Sequence, residues 1–421
     1  YVPPDLRTLA ASRPDPSAPF RFQRLMTEVG PRRAENDRTL LQGTLGLRGP
    51  VFADWRYDAY VQLGRNDRTE RQSGNVRISR FQELLTAPDG GVALCGGFDP
   101  FGRGRVPVAC AEYATTDASN EITVEQVLAE ASLSGPLLEL PAGPLQSAFG
   151  VLYKRDEFNY EPDPILTEFV PAVPGIIGPR PDVTGFGAGA ARSGNESNGD
   201  VYGELLVPIY KDAAAGRFLD LGLGYRRSEY EQAGGADAYK AELTFRPHRV
   251  VLLRGSFQHA VRAPSIEELY FPEIAGQFLF NPPDPCSVSS PQRNGPDQQQ
   301  VEALCLVQGM TPAQLAVFEY PLRRVDGVSG GNPELAPEEA DTLTAGVVLG
   351  SPLEHDALRD LQVSIDWYRI DFANGIGRWA VDSAKDRCFD PAYNPTYDPA
   401  NGYCRFFTRV PATGEIYALE L

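Results

Sequence analysis

From Asp237 to Tyr270 the side chains alternate in kind with a period of two. Tyr239, Ala241, Leu243 and Phe245 share one parity, and Lys240, Glu242, Thr244 and Arg246 share the other. After Pro247 and His248 the alternation resumes, with Val251, Leu253, Gly255, Phe257 and Val261 opposing Arg254, Ser256, Gln258 and Arg262. Successive side chains of a strand point to opposite faces, so this stretch predicts a β-hairpin with one apolar and one charged face. The pattern alone suits a sheet on a soluble core as well as a membrane barrel with lipid outside and water inside.

The same rule predicts strands elsewhere. Leu41, Leu45 and Leu47 oppose Gln42, Thr44 and Arg48; Trp55, Tyr57, Ala59, Val61 and Leu63 oppose Arg56, Asp58 and Gln62. Phe149, Val151 and Tyr153 oppose Lys154, and Val201, Leu205, Val207 and Ile209 oppose Glu204. Leu219, Leu221, Leu223 and Tyr225 oppose Asp220, Gly222, Gly224 and Arg226. Leu343 to Leu349 and Leu361 to Trp367 repeat the pattern. Aromatic residues near strand ends (Trp55, Tyr57, Tyr225, Tyr239, Phe245, Trp367) are what two membrane interfaces select.

Connections discriminate better than strands. Short ones fall near 49–53, 210–216, 247–249 and 350–359; long ones fall near 67–120, 159–198, 263–338 and 376–413, with 231–236 a brief exception. Short turns on one rim and long loops on the other are expected of an outer-membrane barrel, whereas a sandwich keeps loops short at both ends. The predicted fold class is all-β, an antiparallel transmembrane β-barrel.

Composition narrows the field. The 421 residues include 41 Gly and 37 Pro, which suits many strands separated by turns. A net charge of −17 argues against a nucleic-acid partner, because phosphate binding needs a basic face. No run of about 18 apolar residues exists to form a transmembrane helix, which leaves a barrel open. Cys95, Cys110, Cys286, Cys305, Cys388 and Cys404 fall into three local pairs in loop-like segments, none a CxxC. Disulfides of an oxidising compartment fit this spacing better than a zinc site.

Inside the long loops, Thr311-Pro312-Ala313-Gln314 and Ser265-Ile266-Glu267-Glu268 predict capped helix starts, and Val301, Leu304 and Val307 suggest a helix before the first of these. Other motifs support no catalysis. Gly327-Val328-Ser329-Gly330-Gly331 fits GxSxG, but it is read as a Gly-rich loop ahead of a strand. Gly185, Gly187 and Ala190 only loosely match a dinucleotide fingerprint. His248, His259 and His355 lack metal-ligand spacing, and the pairs Glu267/Glu268 and Glu338/Glu339 are read as solvated helix turns. The Asp- and Pro-containing 281–298 stretch lacks the spaced carboxylates of a calcium loop. No cofactor, metal site or enzymatic activity is expected.

The segments Arg262 to Tyr270, then Gly331 to Glu338, then Asp366 to Ile370 stand in an order and spacing that resemble the TonB-dependent outer-membrane receptors. Arg262-Ala263-Pro264-Ser265 followed by Glu267-Glu268-Leu269-Tyr270 is similar to that family's RAPS-x-x-EL segment. Gly331-Asn332-Pro333-Glu334-Leu335 with Pro337-Glu338, Ala340 and Thr342 to Gly346 resembles its GNP-x-L-x-PE segment, and Asp366-Trp367-Tyr368-Arg369-Ile370 its D-Y-Y-x-I strand. Leu140-Pro141-Ala142-Gly143, Tyr202-Gly203-Glu204-Leu205 and the region from Cys388 through Arg409 to Gly414 look like further family segments. The resemblance implies a receptor in the Gram-negative outer membrane, a barrel of about 22 strands filled by a plug. Its partners would be membrane lipid, the TonB complex acting through the plug, and a scarce ligand of the siderophore, cobalamin, carbohydrate or peptide class. Residues 1–421 are read as a portion of that barrel, roughly a dozen strands, with no plug segment or TonB box. The alternatives are a passive porin and a soluble secreted glycan-binding β-protein.

On the inward parity, Arg226, Lys240, Arg246, Arg254 and Arg262 face Asp220, Glu242 and Asp366. Most of these charges are expected to pair with each other in a wet interior. Arg226 and Arg262 near the long-loop rim are the candidates for an anionic ligand, and Tyr202 and Tyr368 for stacking on it.

Overall fold

The computed structural model describes residues 4–17, 24–52, 54–102, 104–167, 181–185, 189–320, 322–353 and 360–420. The strands, in chain order, are β1 (Arg33–Pro50), β2 (Arg56–Val76), β3 (Thr115–Leu140), β4 (Gly143–Glu161), β5 (Arg192–Asp212), β6 (Arg217–Tyr230), β7 (Gly234–His248) and β8 (Val251–Arg262). They continue with β9 (Ile274–Leu279), β10 (Arg324–Ser329), β11 (Glu338–Gly350), β12 (Gln362–Ala373), β13 (Phe407–Arg409) and β14 (Ile416–Glu420). Ten form one sheet in the order β1-β2-β3-β4-β5-β6-β7-β8-β11-β12. Every pairing in it is antiparallel, and β1 and β12 are its open edges.

Register carries the alternation across the sheet. One row runs Val207–Leu221–Leu243–Gly255–Ala345–Trp367, and a neighbouring row Leu219–Phe245–Leu253–Val347–Ile365. Leu243, Leu253, Ile365 and Trp367 are exposed. The row between the two holds Arg254, Gly346 and Asp366, and the row on the other side of the first holds Glu242, Ser256 and Thr344. The buried hydrophobic clusters lie at the long-loop end, not along either apolar row.

Two expectations about where strands lie need correction. The strand β3 lies where no strand is predicted, and its first residues fall in the expected 67–120 loop; the connection spans 77–114. Ile122, Val124 and Leu128 share a parity with Gln126 and Glu130, which blurs the alternation, and the tight turn after Leu140 closes the β3–β4 hairpin. The GxSxG stretch is not a plain loop, because Gly327 to Ser329 belong to β10. Gly187 and His355 lie outside the described residues.

The long connections fold into bodies of their own. Those after β8 and β12 merge into one cap around Phe280, Val301, Leu304, Phe318, Val325, Val381, Phe389 and Phe407. Its sheet has the order β13-β14-β10-β9, with β10 and β14 parallel. Helices Gln298–Val307, Pro312–Leu315 and Val381–Cys388 pack beside it, and the Thr311 and Ser265 capping boxes both form. The 77–114 connection builds a smaller body around Leu84, Phe98 and Cys110. Disulfides join Cys95 to Cys110, Cys286 to Cys305 and Cys388 to Cys404.

Candidate functional site

The polar face of the ten-stranded sheet and the mouth beneath the cap bring the charged side chains together. Tyr202 on β5 lies over Gly150 on β4, where an added Cβ would sit 2.3 Å from the phenol ring, so only glycine admits it. There Tyr202 Oη donates to Glu130 Oε1 at 2.6 Å, and Tyr60 Oη donates to Glu130 Oε2 at 2.7 Å. Arg226 pairs with the buried Asp200, and its guanidinium lies 5.9 Å from the Tyr202 ring centre. Further along, Arg254 bonds Asp366 with contacts of 2.9 and 2.7 Å, and Lys240 reaches Glu204 at 3.6 Å. Arg226 and Tyr202 thus share one cluster.

Arg262 stands at the mouth. Its Nη1 and Nη2 donate to Glu268 at 2.9 and 3.0 Å, and its Nε donates to Glu338. Glu338 also accepts from the Ile376 amide at 2.7 Å, which ties the start of the second cap segment to the first. The Arg262 guanidinium holds Glu268 below the usual carboxylate range. Ala263 and Pro264 carry the chain from β8 to Ser265, whose hydroxyl accepts from the Glu268 amide at 3.2 Å. Asn332, next to Pro333, donates its amide to Glu268 O at 2.9 Å. The RAPS and GNP segments therefore meet at one joint. Glu338 and Glu339 open β11 and are not a helix turn, while Glu267 and Glu268 lie in the short helix Ile266–Tyr270.

Tyr368 is separate from both groups. It lies on edge strand β12 opposite Thr344, and it is 69% exposed. His259 stands on the apolar parity, stacked on Tyr239 at 5.0 Å with Nδ1 2.7 Å from Asp341. Asp284, from the 281–298 stretch, is wholly buried against Arg409. Burial pushes Tyr320, inside the cap, up to about 12.

Sequence reasoning missed one cluster. Trp379, Tyr393 and Tyr403 surround Arg387 on the cap, with ring centres 4.4, 4.9 and 5.2 Å from its guanidinium carbon. The available signal was the density of rings between Phe389 and Tyr403, bracketed by Cys388 and Cys404.

Residues 6–401 match the family model described as TonB dependent receptor-like, beta-barrel. Among solved structures, the chain is similar to a mutant of the ferric enterobactin receptor PfeA from Pseudomonas aeruginosa: 15% identity, TM-score 0.44, covering 80% of this chain and 35% of that one. It is also similar to the siderophore receptor PirA from Acinetobacter baumannii, with 12% identity, TM-score 0.39, and 86% and 39% coverage. The RagAB peptide importer follows at 8% identity, TM-score 0.39, and 80% and 30% coverage. The chain thus spans well under half the length of each of these three structures. No curated protein matches the sequence.

Proposed function

Because the chain belongs to the TonB-dependent receptor β-barrel family, we propose that it acts in the outer membrane of a Gram-negative cell, in uptake of a scarce ligand energised by the TonB complex. The family match over residues 6–401 carries this reading. The sheet's chemistry supports it: exposed Leu243, Leu253, Ile365 and Trp367 suit hydrocarbon, and the Glu130, Asp200, Arg226 and Arg254 face suits a wet interior. In a bilayer the unpaired ladders of β1 and β12 require partner strands, so in this reading the ten strands form one wall of a closed barrel.

Within the same reading the cap meets the ligand outside and the polar face guides it inward. Arg226 and Tyr202 form one candidate contact group, Arg262 marks the mouth, and Tyr368 offers a stacking surface. The ligand belongs to the siderophore, cobalamin, carbohydrate or peptide class.

The test is growth of an outer-membrane host producing the whole gene product on ferric siderophores, cobalamin, oligosaccharides or peptides as limiting nutrient, with and without TonB. The expected result is growth on one class that disappears without TonB. Equal growth in both strains means a passive pore, and a product that stays monodisperse without detergent means a soluble protein.

A further inference from the structure

The disulfide Cys388–Cys404 brings two segments of the cap to a Cα separation of 5.0 Å. Arg387 and Tyr403, the residues just before each cysteine, are thereby neighbours, and Arg387 Nη1 donates to Tyr403 Oη at 3.2 Å. Trp379 and Tyr393 close round the same guanidinium. The rings also brace each other: Tyr403 meets Trp379 edge-on at 5.4 Å and Tyr393 at 6.0 Å, with Phe406 6.3 Å from Trp379. Arg405, exposed, lies 5.2 Å from the Phe406 ring.

Three cations of the cap are matched by carboxylates, Arg409 by Asp284, Arg293 by Glu302 and Lys385 by Asp382, whereas among the described residues none matches Arg387 or the exposed Arg405. Among the described residues Arg387 has no carboxylate at ion-pair distance, and its Nε and Nη2 have no hydrogen-bond partner, in a chain of net charge −17. Ring faces attract the cation, but they leave the guanidinium edge unsatisfied. Trp379 is 36% and Tyr393 47% exposed, and neither belongs to the cap's core, so both rings keep surface that a ligand can reach.

We propose that this cluster binds an organic anion carried on a flat ring, of the aryl carboxylate class. The anion takes the free guanidinium edge, whose planar fork matches two oxygens. The ring stacks against Trp379 or Tyr393, and Arg405 adds a second positive charge nearby. The disulfide fixes the floor of the site by holding Arg387 against Tyr403. This inference names a ligand class for the proposed uptake and takes from that reading only that the cap meets the ligand.

The test uses the full chain in detergent with Trp55→Phe and Trp367→Phe, which leaves Trp379 as the sole tryptophan of the three. Benzoate is titrated against its fluorescence, beside acetate, benzyl alcohol and methyl glucoside. Benzoate is expected to quench saturably, with the other three about tenfold weaker or more. Arg387→Gln is expected to weaken benzoate about tenfold, and Tyr393→Leu, at an exposed ring, several-fold, with the Cys388–Cys404 bond still formed. No saturable benzoate signal up to about 50 mM overturns the proposal, as does equal binding of methyl glucoside. Unchanged affinity in a folded Arg387→Gln overturns it too. If that variant fails to fold, Tyr393→Leu decides by the same criterion. The titration involves no TonB, so its failure and a failure of energised uptake are read separately.

Discussion

Arg409 and Asp284 meet in the interior of the cap as a two-pronged pair, both contacts 2.9 Å and both side chains 0% exposed. They lie 125 residues apart in the chain and join the segment after β12 to the segment after β8. Removing one partner strands the other charge away from water, at a cost of about 3–5 kcal/mol. Asp284→Ala is therefore expected to unfold the cap locally and leave the ten-stranded sheet. Hydrogen exchange checks this: amides of β10 and β14 should lose protection while those of β6 and β7 keep theirs. Asp284→Leu with Arg409→Met should recover most of the loss.

Cys286 and Cys305, 19 residues apart, close a loop within the same core. Replacing both by Ser is expected to lower cap stability by about 3 kcal/mol, mainly by loosening the unfolded chain. Denaturant titration followed at Tyr320 and Phe318 would show this, with the midpoint of the main sheet unmoved.

Gly346 lies between Arg254 and Asp366 in the register, and an added Cβ would sit 2.0 Å from Asp366 Oδ1. Gly346→Val is expected to destabilise the detergent-solubilised chain by about 1–3 kcal/mol, although Val favours strands. Gly255→Ala, on the opposite face with its nearest neighbour at 3.4 Å, should be close to neutral. Thermal melts of the two variants check the contrast.

Asp182 joins the 77–114 body to the next connection through Ser79 and Arg77. Burial opposes its charge, but hydrogen bonds from Ser79 and the Arg77 guanidinium outweigh burial and hold its pKa below the ordinary value. The stability it contributes is thus complete above the unfolded value of about 3.9, and is lost as pH falls through the lower folded value. Protection of amides in 78–86, corrected for intrinsic exchange rates, should fall across that acid window. Asp182→Asn should flatten the dependence.

The legible part of the fold is the part written locally. Leu243 and Glu242 declare their faces by position alone, and Thr311 and Ser265 declare their helices by the residue three places on. The strand β3 was hidden by apolar residues on its polar face, at Ile122, Val124 and Leu128. Topology could have recovered it. The expected long connections at 67–120 and 159–198 flank the 147–155 strand on both sides, and up-and-down alternation then fails unless one more strand precedes it. The cap was illegible for another reason: Arg409 with Asp284, and β10 with β14, meet across long stretches of chain that no local pattern encodes. The Arg262, Glu268 and Glu338 joint sat inside quoted motifs, yet only the fold shows Arg262 held between two carboxylates.

The central claim is that one face of the ten-stranded sheet touches hydrocarbon and the other water. Spin labels on single cysteines at Leu221, Leu243 and Leu253, and at Glu242, Arg254 and Ser256, test it in lipid bilayers through collisions with oxygen and with a water-soluble nickel chelate. The account predicts that the three leucine positions respond to oxygen and the other three to nickel. Leucine positions shielded from both reagents, with the polar positions open to nickel, would contradict it and place the apolar face inside a dry protein core.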